Sequence, residues 1–316
     1  MVRQREAQQI DGAAHAAGVA LPDARPALNP RALVRAMRPL QWTKNALVFA
    51  GLIFTRSVFD LDPFLTTIAA ALVFCAASSA IYLINDVRDI EQDKHHPRKR
   101  FRPIASGEVS VRQAVIAAAI LLSGGLIASF LIRPAFAAVI AGYLALMVSY
   151  SYMLKRLVIL DVFAIAAGFV LRAAGGAVAI AVPISPWLYV CTMLLALFIG
   201  FAKRRSEIVL LEGQAGRHRA NLDAYTIGML DQIIGIVSSA TVMAYSLYTF
   251  DAASVPENKS MMLTIPFVLY AIFRYLYLVH RHNLGGSPEV LLFTDRPLLL
   301  CIAGWGISSV VILSLS

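Results

Sequence analysis

From residue 40 to the C-terminus the chain alternates long apolar runs with short polar connections, at about 40–56, 64–84, 112–132, 135–153, 159–181, 187–202, 227–250, 261–279 and 297–315. A helix crossing the hydrocarbon core of a bilayer needs about 20 apolar residues. The runs are continuous, not alternating, which excludes a transmembrane β-barrel. Composition agrees: 59% of residues are hydrophobic and 15% charged, against about 45–50% and about 25% in soluble domains. A disordered chain is excluded and an ordinary soluble enzyme is disfavoured. The expected fold is an all-α integral membrane bundle of nine transmembrane helices over residues 31–316. The first span is the weakest, because Lys44 and Asn45 interrupt it. Residues 1–30 lack periodicity and the apolar core of a signal peptide, and are expected to form a mobile cytoplasmic tail.

Charge sets the expected orientation. With the N-terminus inside, the outside connections hold only Arg56, Arg133 and Lys259 of the 28 Lys and Arg. Two more, Arg172 and Arg274, fall within expected spans. That bias is the positive-inside pattern of a multi-pass protein of the cell membrane. It explains the net charge of +9 without a nucleic-acid partner. Cys75, Cys191 and Cys301 lie inside apolar runs without ligand spacing and read as reduced packing residues. Gly124-Gly125 and Gly175-Gly176 sit within spans, where small residues let helices approach closely.

The most informative segment ends the second span: Asn85-Asp86-Val87-Arg88-Asp89-Ile90-Glu91-Gln92-Asp93. On a helix, Asp86, Asp89 and Asp93 share a face. Carboxylates that close repel unless a cation lies between them. Hard oxygen ligands suit Mg²⁺, which bridges carboxylates to substrate phosphates. A solvated helix end is the plainer alternative, but acids at membrane depth are costly and point to function. The basic run Lys94 to Arg102 follows directly. It reads either as a loop against anionic lipid or, with the acids, as metal and phosphate in one pocket.

Other polar groups recur on the same expected side. Tyr150 and Lys155 close the fourth span, Lys203, Arg204, Arg205 and Glu207 the sixth, and Asp295 lies in the last inside loop. Lys44, Asp161 and Arg172 fall inside spans. An intramembrane Arg is usually paired or lines a wet cavity, and Asp231 is a candidate partner for Arg172.

Nine spans with the Asn-Asp-x-x-Asp-x-x-x-Asp motif after the second resemble the UbiA prenyltransferase superfamily over about residues 30–316. The resemblance implies an all-helical membrane fold with a cytoplasmic-side active-site cavity, Mg²⁺ held by aspartates, and a lateral opening for a polyprenyl chain. Two departures stand out. Members usually carry a second acidic motif after span six; here Phe201-Ala202-Lys203-Arg204-Arg205-Ser206-Glu207 is basic. The usual Tyr-x-x-x-Lys after span four is stretched, with Tyr150 five residues before Lys155. Such departures, with Arg38-Pro39-Leu40-Gln41-Trp42-Thr43-Lys44-Asn45 and Lys99-Arg100-Phe101-Arg102-Pro103-Ile104-Ala105, are similar to the decaprenyl-phosphate phosphoribosyltransferase branch.

That branch implies transfer of 5-phosphoribose from phosphoribosyl diphosphate to a polyprenyl phosphate, with release of pyrophosphate. It implies metal ligation by Asp86, Asp89 and Asp93, and catalytic roles for Asp86, Asp89 and Lys44. Asn45, Asn85, Arg102, Tyr150, Lys155, Arg172, Lys203, Arg204 and Glu207 are the expected substrate contacts. Two anionic substrates suit a basic cluster where relatives have acids. The first alternative is transfer of a polyprenyl group from its diphosphate to an aromatic or quinone precursor. The second is a transporter or lipid-binding scaffold. A homo-oligomer, a trimer included, is compatible with the sequence.

Overall fold

The computed structural model describes residues 29–315 except 56, 98, 184, 212–221, 223, 253 and 254, with the backbone alone at 211 and 289. The expected tail therefore lies outside the described residues, as do Arg217, His218, Arg219 and Asp223, the polar groups expected to lead into the seventh span. Every regular element among the described residues is helical. Asn29 caps α1 (Pro30–Ala36), its side chain accepting from Ala32 N–H at 3.2 Å. A 3₁₀ stretch, Pro39–Phe49, runs into α2 (Ala50–Phe54).

Among the described residues, eight helices long and apolar enough to cross a membrane follow. They are α3 (Leu61–Arg88), α5 (Val111–Ile132), α6 (Pro134–Tyr152), α7 (Leu160–Ala179), α8 (Pro186–Leu211), α9 (Ile227–Asp251), α10 (Ile265–His282) and α12 (Arg296–Ser314). The short helices α4 (Ile90–His95) and α11 (Pro288–Thr294) lie between them. Local chemistry sets several starts. Ser110 and Gln113 form a capping box on α5, Thr226 caps α9, and Asp295 caps α12. Each satisfies N–H groups that a helix start leaves orphaned.

The run 40–56, expected as the first of nine spans, is not a regular α-helix. Its polar side chains are served by neighbours. Trp42 Nε1 donates to Ser79 Oγ at 3.0 Å, and Ser79 Oγ donates to the Met37 carbonyl at 3.2 Å. The backbone lies directly on α7: a Cβ on Gly176 would run into the Val48 carbonyl oxygen, and one on Gly51 would stand 2.9 Å from Ala177 Cα. The expected packing role therefore holds for Gly175-Gly176. It fails for Gly124, beside which nothing lies within 4 Å.

Several apolar clusters tie the bundle. Phe74 of α3 meets Phe136 and Tyr143 of α6 edge-on, at 5.9 and 5.5 Å between centroids. Phe198 and Phe201 of α8 pack with Tyr275 and Leu278 of α10. Ala32 and Ala36 of α1 pack on Ala80 and Leu83 of α3 and on Ala114 and Ala118 of α5. Outward faces expose Phe130, Leu131, Ile236 and Leu300, as expected of helices bathed in lipid. The chain is a multi-pass membrane protein.

Candidate active site

The length of α3 positions the acidic motif. Its 28 residues reach about 42 Å at 1.5 Å per residue, roughly 12 Å more than the hydrocarbon core. The helix breaks at Asp89 (φ −92°, ψ 12°) and resumes as α4. Hydrogen bonding bridges the break: Asp89 N–H donates to the Asn85 carbonyl and Asp93 N–H to that of Asp89, both at 2.9 Å.

Asp86 and Asp93 are brought together, each only a few per cent exposed (3% and 2%). One nitrogen joins them: Arg102 Nη1 stands 3.0 Å from Asp86 Oδ1 and 2.6 Å from Asp93 Oδ2. Arg38 Nη2 donates to the same Asp86 Oδ1 at 2.5 Å, and Lys99 Nζ lies 3.9 Å from Asp93 Oδ1. The Arg38 guanidinium is stacked over the Tyr82 ring, 4.8 Å from its centroid.

Asp89 departs from the expected common face. Arg88 grips it through Nε and Nη2, at 2.8 and 3.2 Å. Arg88 also donates to the Ser151 carbonyl at 3.0 Å and lies over the Tyr152 ring. Partial burial works against charge on Asp89, but the Arg88 hydrogen bond and charge, aided by Lys155 and Lys99, hold its carboxyl below the ordinary range. Among the described residues no three Asp, Glu, His or Cys stand together as a metal cluster. The expected triad is thus a pair plus one acid turned aside, because Arg38, Arg88 and Arg102 claim the carboxylates. The pair still suits a hard divalent ion. Mg²⁺ is commonly held by one or two carboxylates plus substrate phosphates, and one cationic nitrogen already spans Asp86 and Asp93.

The other expected contacts form two separate groups. Arg204 of α8 is 2% exposed; its Nε donates to Asp161 Oδ2 at 2.8 Å and its Nη1 to Glu207 Oε2 at 2.5 Å. Tyr225 OH donates to Asp161 Oδ1 at 2.9 Å and accepts from Ile159 N–H at 2.5 Å. Burial and the Asp161 carboxylate push the Tyr225 hydroxyl up to about 12. Tyr150 lies close enough to Arg204 to interact with it electrostatically. Arg204 and Glu207 therefore have protein partners; Lys203 beside them is half-buried and is not free either.

Deeper in the bundle, Arg172 (6% exposed) donates to Asn45 Oδ1, the Gly168 carbonyl and Tyr143 OH, each at 2.8 Å. Its guanidinium lies 4.7 Å from the Tyr143 ring centroid. Asp231 is not its partner. Asp231 instead pairs with Arg205 Nε at 2.5 Å and lies 3.2 Å from His280 Nε2. Lys44 and Asn85 are half-buried near these groups in the chain.

The reading of the sequence gave no site role to Arg38 or Arg88. Arg88 was legible from its place inside the acidic motif. Arg38 opens the Arg38–Asn45 segment of the resemblance, but its pairing with Asp86, across 48 residues, was not legible.

Comparisons with known proteins agree with this architecture. Residues 46–294 match the UbiA prenyltransferase family. The decaprenyl-phosphate phosphoribosyltransferase of Corynebacterium glutamicum is 34% identical over 280 residues, covering 86% of this chain and 84% of that protein. The protein of the same name from Mycolicibacterium smegmatis is 33% identical, covering 93% of this chain and 96% of its own. A UbiA homologue from Archaeoglobus fulgidus, solved with GPP and Mg²⁺, superposes with a TM-score of 0.68 at 18% identity, over 90% of this chain and 99% of that one. The chain belongs to the UbiA prenyltransferase family.

Proposed function

We propose that the protein transfers 5-phosphoribose from phosphoribosyl diphosphate to a polyprenyl phosphate of the decaprenyl type and releases pyrophosphate. The observation that carries this reading is the match, over nearly the whole chain, to two proteins named for that activity. The acid-and-guanidinium site is compatible with it, since guanidiniums pair well with phosphate oxygens. On this reading the site faces the cytoplasm with the N-terminus, as the charge bias indicates. The stretch 39–54 makes a ninth pass, because 3₁₀ geometry and a turn of α-helix carry its residues about 30 Å.

Asp86 and Asp93 would hold Mg²⁺, which when bound stabilises charge on the departing pyrophosphate. In the reaction the ribose C1–O bond to the diphosphate breaks and the leaving pyrophosphate keeps the electron pair. A lipid phosphate oxygen forms the new bond to C1. That oxygen is already anionic, so the chain need not supply a general base. Lys155 and Lys99, whose charges Asp89 feels, and Lys44 orient the phosphate groups. Lys203 and Arg204 of the α8 basic cluster are the candidates for a second anionic group, the lipid phosphate or the ribose 5-phosphate. Catalysis is positioning and charge stabilisation.

The test is a labelled-ribose transfer assay in detergent with Mg²⁺. Wild type is expected to label the lipid, and Asp86→Ala to lose turnover while staying folded. An active Asp86→Ala enzyme overturns the site.

A further inference from the structure

The acid site carries its own counter-ions. Asp86 and Asp93 contribute two negative charges, both almost wholly buried. Arg38 and Arg102 contribute two positive charges, and both reach Asp86 Oδ1, at 2.5 and 3.0 Å. Without substrate these four charges cancel, and Lys99 Nζ, 3.9 Å from Asp93 Oδ1, adds a further cation beside them. A divalent ion arriving alone would face two guanidiniums at the oxygens it needs, and like charges in a partly desolvated site repel strongly. A divalent ion arriving with a diphosphate brings no such excess, and its oxygens offer the guanidiniums a better partner.

The two arginines are not equivalent. Arg102 also holds Asp93, at 2.6 Å, so it braces the loop. Arg38 sits at a turn (φ 57°) before Pro39, and its side chain is 29% exposed beside a carboxylate only 3% exposed. Its guanidinium carbon lies over the Tyr82 ring, 4.8 Å from the centroid, a contact that does not depend on Asp86.

We propose that Arg38 is a phosphate ligand held in reserve: it occupies Asp86 in the absence of substrate, and passes to the diphosphate as Asp86 takes up the divalent ion. Metal and diphosphate then bind together, each making room for the other. The inference rests on the reading that this loop binds a diphosphate, and is independent of which group is transferred.

The experiment measures binding, not turnover. Mn²⁺ binding to the detergent-solubilised protein is followed by paramagnetic resonance, with and without inorganic pyrophosphate, and pyrophosphate binding by calorimetry at saturating Mg²⁺. Wild type is expected to bind Mn²⁺ alone at least about tenfold more weakly than with pyrophosphate. Arg38→Gln is expected to tighten Mn²⁺ alone by about tenfold and to weaken pyrophosphate by about tenfold or more. Opposite signs are the signature, because a merely structural arginine would weaken both. Loss of both affinities, or unchanged Mn²⁺ affinity, overturns the proposal. Should Arg38→Gln fail to fold, Arg38→Lys carries the test. It keeps the charge but not the fork, so Mn²⁺ alone stays weak and pyrophosphate loses several-fold; unchanged pyrophosphate affinity overturns the proposal. If wild type transfers phosphoribose but the opposite signs are absent, this inference fails alone. If the signs hold but no lipid is labelled, the transfer reading fails alone.

Discussion

The Arg172 guanidinium reaches Asn45 across 127 residues of sequence, donating from Nε to Oδ1 at 2.8 Å inside the bundle. The contact ties the irregular stretch 39–49 to α7. Its partners are neutral: an amide, a backbone carbonyl and a tyrosine hydroxyl. The same stretch carries Arg38 to Asp86 at one end and packs Val48 on Gly176 at the other. Asn45→Ala removes an acceptor from a buried charge. It is expected to lower stability by about 1–3 kcal/mol, read as a lower unfolding temperature in detergent, with reduced turnover because Lys44 and Arg38 share the loosened segment.

Close backbone contact predicts a contrast among glycines. Gly176→Ala would drive a methyl into the Val48 carbonyl, and neither backbone can yield cheaply. Gly142→Ala, with nothing within 4 Å, should be neutral or stabilising by about 0.5–1 kcal/mol through helix propensity alone. Thermal unfolding of the two variants checks this. Equal effects would mean that the stretch does not lie on α7 as described.

The buried Arg204–Asp161 pair predicts a structural penalty. Asp161→Asn leaves Arg204 with Glu207 as its carboxylate partner, so the loss should fall below about 3–5 kcal/mol, the cost of an uncompensated buried charge. A combined Asp161→Leu, Arg204→Met variant should recover much of that loss. If the double variant is as stable as wild type but binds the lipid phosphate many-fold more weakly, Arg204 acts on substrate as well.

These outcomes bear on what was legible in the sequence. The spans were, because the bilayer imposes a length and an apolarity that tertiary contacts cannot replace. The irregular form of the stretch 39–54 was not, because long-range contacts hold it, Trp42 to Ser79 and Asn45 to Arg172, which no local pattern displays. The spacing of the acids was legible. Their pairing was not: a helical face places Asp89 with Asp86 and Asp93, but Arg88 turns it aside. The choice of Asp231 for Arg172 failed for a similar reason, since charge alone cannot tell α7 from α8, and Arg205 is the nearer cation.

Asp295 gives a pH dependence with a definite sign. Arg274 holds it through Nε and Nη2, at 3.1 and 2.7 Å. That hydrogen bond, opposed by slight burial and aided by the Leu298 N–H and the Arg274 charge, keeps its carboxyl below the ordinary range. A depressed value means stability that is fully present above the unfolded value of about 3.9 and lost as pH falls through the folded one. Asp295→Asn should therefore be less stable than wild type at neutral pH, and the difference should close below about pH 4. Unfolding temperatures of both proteins across that range check the prediction. A gap that persists at low pH would assign the effect to the helix cap instead of the charge.

The most direct test offers the purified protein two substrate pairs side by side with Mg²⁺: labelled phosphoribosyl diphosphate with a polyprenyl phosphate, and a polyprenyl diphosphate with an aromatic acid. A ribose-labelled lipid and released pyrophosphate from the first pair alone is the predicted result. Consumption of the prenyl diphosphate with no labelled lipid would contradict the account.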